Sequence, residues 1–130
     1  MPRAYTVATA ALTLGVSFKW VDNTLSHHSI NGVVQEKQGV SRQLTIDALL
    51  TLSITLLLSA ELGSSVRNAI GIAEKIIAQR GVLILVQGLR IELDLDAFRG
   101  QLLSRLEHAV EAAPLPRRGR PPKSTTGRLE

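Results

Sequence analysis

Residues 11–28 read "ALTLGVSFKWVDNTLSHH", and the glycine and serine in the middle decide how the whole chain is interpreted. Upstream of the glycine, Val7, Ala10, Ala11 and Leu14 recur at helical spacing and make one apolar face. Gly15 follows where a left-handed C-terminal glycine ends a helix. Ser17 then has the position and chemistry of an N-cap for a second helix, in which Val21 and Leu25 point inward. Two short helices joined by Leu14-Gly15-Val16-Ser17 form a helix-turn-helix pattern. Ala11, four residues before the turn glycine, is small enough for the second helix to cross closely over the first.

Working outward, "INGVVQEKQGVSRQL" (residues 30–44) has glycines at 32 and 39 and β-branched residues at Val33-Val34 and Val40, the pattern of a small hairpin with its tip near Glu36–Gln38. Thr45 is placed to cap a third helix over Ile46–Glu61, ended by Gly63. Ser64 or Ser65 caps a fourth over Val66–Gln79, ended by Gly81. A second hairpin follows, "VLILV" turning at Gln87-Gly88 into "LRIELDL". In its return strand Leu89, Ile91, Leu93 and Leu95 alternate with charged residues at period two. Asp96 is the expected cap of a last helix reaching about Ala113, with Phe98, Leu102, Leu106 and Val110 along one stripe and Pro114 and Pro116 beyond it. The fold class this predicts is mainly α with small β-hairpins (α+β): a helix-turn-helix with a wing, then a hairpin and a C-terminal helix.

Composition narrows the function. The 130 residues are 45% apolar with no cysteine, enough for one core and compatible with a reducing cytoplasm. The longest greasy run, Ala48–Ala60, is short of the roughly 20 residues that span a bilayer, so it predicts a buried helix and no membrane partner. Threonines at 6, 9 and 13 interrupt the N-terminal apolar run, which makes a poor signal peptide. The net charge of +4 is carried by residues 114–130, whereas residues 1–113 hold equal numbers of each sign. Basic residues cluster at both ends of the chain, which points to a polyanionic partner.

The residues of the winged region resemble the DNA-binding domain of MerR-type regulators over residues 5–79. The likeness rests on four pieces in order: Tyr5-Thr6, Gly15-Val16-Ser17, Arg42-Gln43-Leu44-Thr45 and Leu62-Gly63-Ser64-Ser65. It implies a recognition helix at residues 18–28 and a wing that flanks it. The chain departs from that family in carrying Asp22, Asn23 and Thr24 where an arginine and aromatic residues are usual. An acid there must pair with a neighbour or face a base edge. The family's long effector helix is also replaced by a hairpin and one helix, so metal sensing is not carried over, and excisionase-like relatives remain open. The tail resembles an AT-hook in Arg118-Gly119-Arg120-Pro121. An arginine pair suits the negative potential of a narrow A/T minor groove, and glycine lets the backbone sink to its floor.

Three segments follow: a winged domain over 1–81, a hairpin and helix over 82–113 expected to pair two copies, and a basic tail over 114–130 expected to be disordered alone. The expected partners are double-stranded DNA, A/T-rich or carrying a two-fold operator, and a second copy of the chain in a nucleoid-associated dimer. The candidate contacts are Ser17, Phe18, Lys19 and Asn23 on the recognition helix and Lys37 and Arg42 on the wing. In the tail they are Arg117, Arg118, Gly119, Arg120, Pro121 and Lys123. An amide such as Asn23 matches the N6 and N7 edge of adenine. Each has a blander alternative as an ordinary solvated side chain, and Trp20 fits better against the wing or third helix than on a base. His27 and His28 point about 100° apart on a helix and cannot share one ion. No phosphate loop, nucleophile elbow or triad spelling is present, so neither an enzyme nor a cofactor is expected. Two classes of function follow, a sequence-specific transcriptional regulator or an architectural protein coating A/T-rich DNA. A third, outside nucleic acid, is a protein-interaction module with a solubilising tail.

Overall fold

The computed structural model describes residues 3–35, 41–86 and 88–112. Among them the chain forms five helices and two small antiparallel sheets, an α+β architecture.

Helix α1 spans Val7–Leu14 and helix α2 spans Phe18–His27. Thr6 caps the first, its hydroxyl accepting from the Thr9 amide at 3.1 Å. Gly15 closes that helix at φ 73°, a conformation that costs glycine nothing and other residues more. Ser17 caps the second, accepting from the Trp20 amide at 3.0 Å. The apolar faces expected of both helices are buried: Val7, Ala10, Ala11 and Leu14 on one, Val21 and Leu25 on the other.

The first sheet is larger than the expected hairpin. Strand β2 (Val33–Val34) pairs with β3 (Gln43–Thr45), and a further strand, β1 (Ala4–Thr6), pairs with the other edge of β3. Three residues are too few to show a period-two alternation, so β1 left no strand signal. Its pairing sets Tyr5 opposite Leu44, and Leu44 is fully buried. The expected hairpin tip at Glu36–Gln38 and the β-branched Val40 lie outside the described residues.

Helix α3 (Ile46–Leu62) is the centre of the core, with Leu49, Leu50, Leu52 and Ile54 at 0% exposure. A helix apolar on nearly all sides must be surrounded. α4 (Val66–Ala78) supplies one wall through Ala69, Ile70, Ala73 and Ile76, and α1 and β3 supply others. Its threonines do not spoil this burial. Thr51 and Thr55 turn their hydroxyls onto the carbonyls of Asp47 and Thr51 at 3.1 and 2.8 Å, so the buried oxygens are satisfied. The caps are Thr45 and Ser65, with Gly63 between the helices.

Strands β4 (Val82–Val86) and β5 (Leu89–Glu92) form the second hairpin, and α5 spans Leu95–Ala112. Three expectations are corrected here. The strand stops at Glu92, so Leu93 and Leu95 fall outside it, and Leu95 opens the helix. The capping carboxylate is that of Asp94, not Asp96: its Oδ1 accepts from the Ala97 amide at 3.1 Å. An N-cap bonds three residues ahead, and the earlier helix start moves the cap two residues back. Finally, Val110 is 39% exposed whereas Ala109 is buried. A strict four-residue stripe from Phe98 drifts around a 3.6-residue helix, so by the third step its neighbour faces inward. Leu102 and Leu106 lie against α1 and belong, with Leu83, to the same buried cluster as α3.

Candidate nucleic-acid interface

The outward face of α2 is built by subtraction. Val21, Thr24 and Leu25 are buried, and Trp20 is half-buried and packs against the core cluster, as its size demands. Lys19, Asn23 and Ser26 are left exposed on the opposite side, with Asp22 partly exposed between them. The spacing 19, 22, 23, 26 is the three-and-four step of one helix face. Among the described residues nothing engages the Lys19 ammonium or the Asn23 amide. Phe18 begins the helix at 55% exposure, an aromatic ring placed in solvent beside Lys19. Ser17 is also exposed, but its hydroxyl is held by the capping bond.

Arg42 joins this face to the wing. Its guanidinium donates from Nη1 to the Ser26 hydroxyl at 3.3 Å and stands 3.8 Å from the Asp22 carboxylate. Asp22 therefore has a positively charged neighbour. Ser26 was not among the candidates. Its signal was available in the sequence, one step further along the Lys19–Asp22–Asn23 face, but a serine near a helix end carries no chemistry of its own to draw notice. A second unforeseen contact lies at the other side of the wing, where the Arg3 guanidinium sits 5.0 Å from the centre of the Tyr5 ring, a cation–π geometry.

His27 turns back along its helix, with Nδ1 2.7 Å from the Asn23 carbonyl oxygen that accepts from it. Among the described residues no three histidine, aspartate or glutamate side chains gather as a metal site, and no helix is long and apolar enough to cross a membrane. Lys37 on the wing and Arg117, Arg118, Gly119, Arg120, Pro121 and Lys123 in the tail lie outside the described residues. The structure thus places Lys19 and Asn23 on the exposed face of α2 whose Asp22 and Ser26 meet Arg42, with Phe18 at the start of the helix. No family model matches this chain, and no curated protein or solved structure is significantly similar to it.

Proposed function

We propose that this chain is a winged helix-turn-helix protein that binds double-stranded DNA in a sequence-dependent manner, as a transcriptional regulator. The observation that carries the reading is the bridge from Arg42 to Asp22 and Ser26, which makes the base of the wing and the exposed face of α2 one continuous polar surface. In this reading α2 enters the major groove. Lys19 meets a phosphate or a guanine edge, and Asn23 offers its amide to adenine. Arg42 offsets the charge of Asp22 and leaves part of its own fork for the backbone. Lys37 on the wing and the arginines of the tail then take the adjacent minor groove, where A/T sequence deepens the negative potential.

Footprinting on genomic fragments tests it. Discrete protected sites are expected. Continuous coverage would replace the regulator by an architectural protein, and no protection at any salt would remove DNA binding altogether, leaving a protein-interaction module. The face itself is tested by Lys19→Ala, which is expected to weaken binding without moving the melting temperature and to lower the salt slope by about one unit, the signature of one lost phosphate contact. An unchanged slope assigns Lys19 to a base edge.

A further inference from the structure

β5 is an open edge with a self-complementary sequence. Residues 89–93 read Leu-Arg-Ile-Glu-Leu, symmetric in apolar character about Ile91 and antisymmetric in charge. Its hydrogen-bonding direction follows from one contact. The Leu93 amide donates to the Gly81 carbonyl at 2.7 Å, in line with the pairing of Ile91 to Leu83. Residues 91 and 93 therefore direct their backbone groups toward β4. Alternation turns those of Arg90 and Glu92 to the other side, where among the described residues no further strand is paired. The side chains of Arg90 and Glu92, on the outer face of the strand, are 60% and 66% exposed. β4 differs, since its pairing is interrupted by a register shift between Ile84 and Val86, and an irregular strand is a poor template for another chain.

We propose that β5 pairs antiparallel with β5 of a second copy of this chain, in the register centred on Ile91. The outward backbone groups restrict the choice. A hydrogen-bonded pair must use Arg90 or Glu92 from each copy, so the two-fold axis can lie at residue 90, at residue 91 or at residue 92. The first sets Arg90 against the partner's Arg90 and the last sets Glu92 against the partner's Glu92, and like charges directly opposite are destabilising. The middle register sets Arg90 opposite the partner's Glu92 twice over, and each pair exchanges both N–H···O bonds. Arg90 already reaches its own Glu92 at 3.2 Å, so the four charges form one closed network on the outer face.

The inner face fits the same register. Leu89, Ile91 and Leu93 share it, but only Ile91 and Leu93 pack on their own core, while Leu89 stands 50% exposed beyond it. With the axis at Ile91, Leu89 lies opposite the partner's Leu93 and is covered by the partner. The result is a four-stranded sheet in which β5 is no longer an edge. Two such copies form a closed, isologous dimer, and a third strand beyond a two-stranded ribbon supplies the stability such a ribbon lacks. This proposal does not depend on DNA, and its readout is mass.

Charge exchange tests it on the full chain by sedimentation equilibrium, with circular dichroism to verify folding. The native chain is expected to dimerise. Arg90→Glu and Glu92→Arg each place like charges opposite one another and are expected to weaken the dimer about tenfold or more. An equimolar mixture of the two single variants is expected to form heterodimers, because every cross-strand pair is then opposite in sign. The intramolecular Arg90–Glu92 pair is broken in both variants and gives no such rescue. Ile91→Cys is expected to yield a covalent dimer on oxidation, since opposed residues of a non-hydrogen-bonded pair stand about 4.5 Å apart at Cα, within disulfide reach. A monomeric native chain overturns the proposal. So does a dimer indifferent to both single variants, a mixture that stays monomeric, or an Ile91→Cys chain that dimerises without cross-linking.

Discussion

In the three-stranded sheet, β3 lies between β1 and β2 and hydrogen-bonds along both of its edges, whereas β5 in the second hairpin is paired to β4 alone among the described residues. Both strands present an apolar residue to the same core, Leu44 from β3 and Ile91 from β5. Leu44 is sealed at 0% exposure, and Ile91 remains half-buried. That sheet is also tied directly to the helix that follows it: the Thr45 hydroxyl and amide both donate to the Gly32 carbonyl at 2.9 Å, while the same hydroxyl caps α3. The second hairpin has only the backbone half of this tie among the described residues, the Leu93 amide donating to the Gly81 carbonyl at 2.7 Å. A strand closed on both sides serves as scaffold, and one left open is available to a partner.

The glycines of the two hairpins provide the sharpest test of that contrast. Gly32 (φ 92°) and Gly88 (φ 90°) share a left-handed backbone, but a Cβ on Gly32 would strike the Thr45 hydroxyl and the Ala48 amide, whereas one on Gly88 meets open space. Gly32→Ala is expected to cost about 4 kcal/mol in urea denaturation, from strained backbone and overpacking together. Gly88→Ala is expected to cost about 1 kcal/mol from the backbone alone. Equal costs would mean that the wing yields at Gly32 and is not locked to α3.

Truncating the central apolar residue of each hairpin comes next in size. Leu44→Ala is expected to destabilise by about 3 kcal/mol, and Ile91→Ala by about half of that, because less of its side chain leaves water on folding. Hydrogen exchange sharpens the same comparison: the β3 amides are expected to be protected at every concentration, and those of Arg90 and Glu92 only where the chain is dimeric.

The two smaller effects concern DNA. Removing residues 114–130 is expected to weaken binding about tenfold by loss of an intramolecular second contact, leaving the core footprint in place. A tail scrambled at constant charge that binds as well as the native one, on A/T-rich and G/C-rich flanks alike, would reduce the motif to a polycation. Asp22→Asn is expected to change stability by less than about 0.5 kcal/mol, as for other exposed pairs, yet to raise DNA affinity a few-fold at low salt by releasing Arg42. A fall in affinity would instead assign Asp22 to a base edge.

Much of the local chemistry was legible. Gly15, Gly63, Ser17 and Thr45 mark helix ends because caps and left-handed turns are satisfied within a few residues of chain, and the structure places all four there. The apolar faces of α1 and α2, and the period-two run around Ile91, follow from the same short-range geometry. The polar side of α2 was equally open to reading, since whatever does not face the core of an amphipathic helix faces water.

What the sequence by itself determined is thus the five helices and the two hairpins, the inward faces of α1 and α2, and the polar stripe of Lys19 and Asn23. Only the tertiary structure decided the rest. β1 exists because β3 offers it an edge, and three residues have no preference of their own strong enough to declare it. Asp94 rather than Asp96 caps α5 because the strand before it ends where its pairing with β4 ends. Asp22 finds its counter-charge in Arg42, twenty positions along the chain, a distance across which no periodicity carries information. Side chains that far apart in sequence meet only when the backbone between them is folded, so their pairing is a property of packing and not of the residues taken singly.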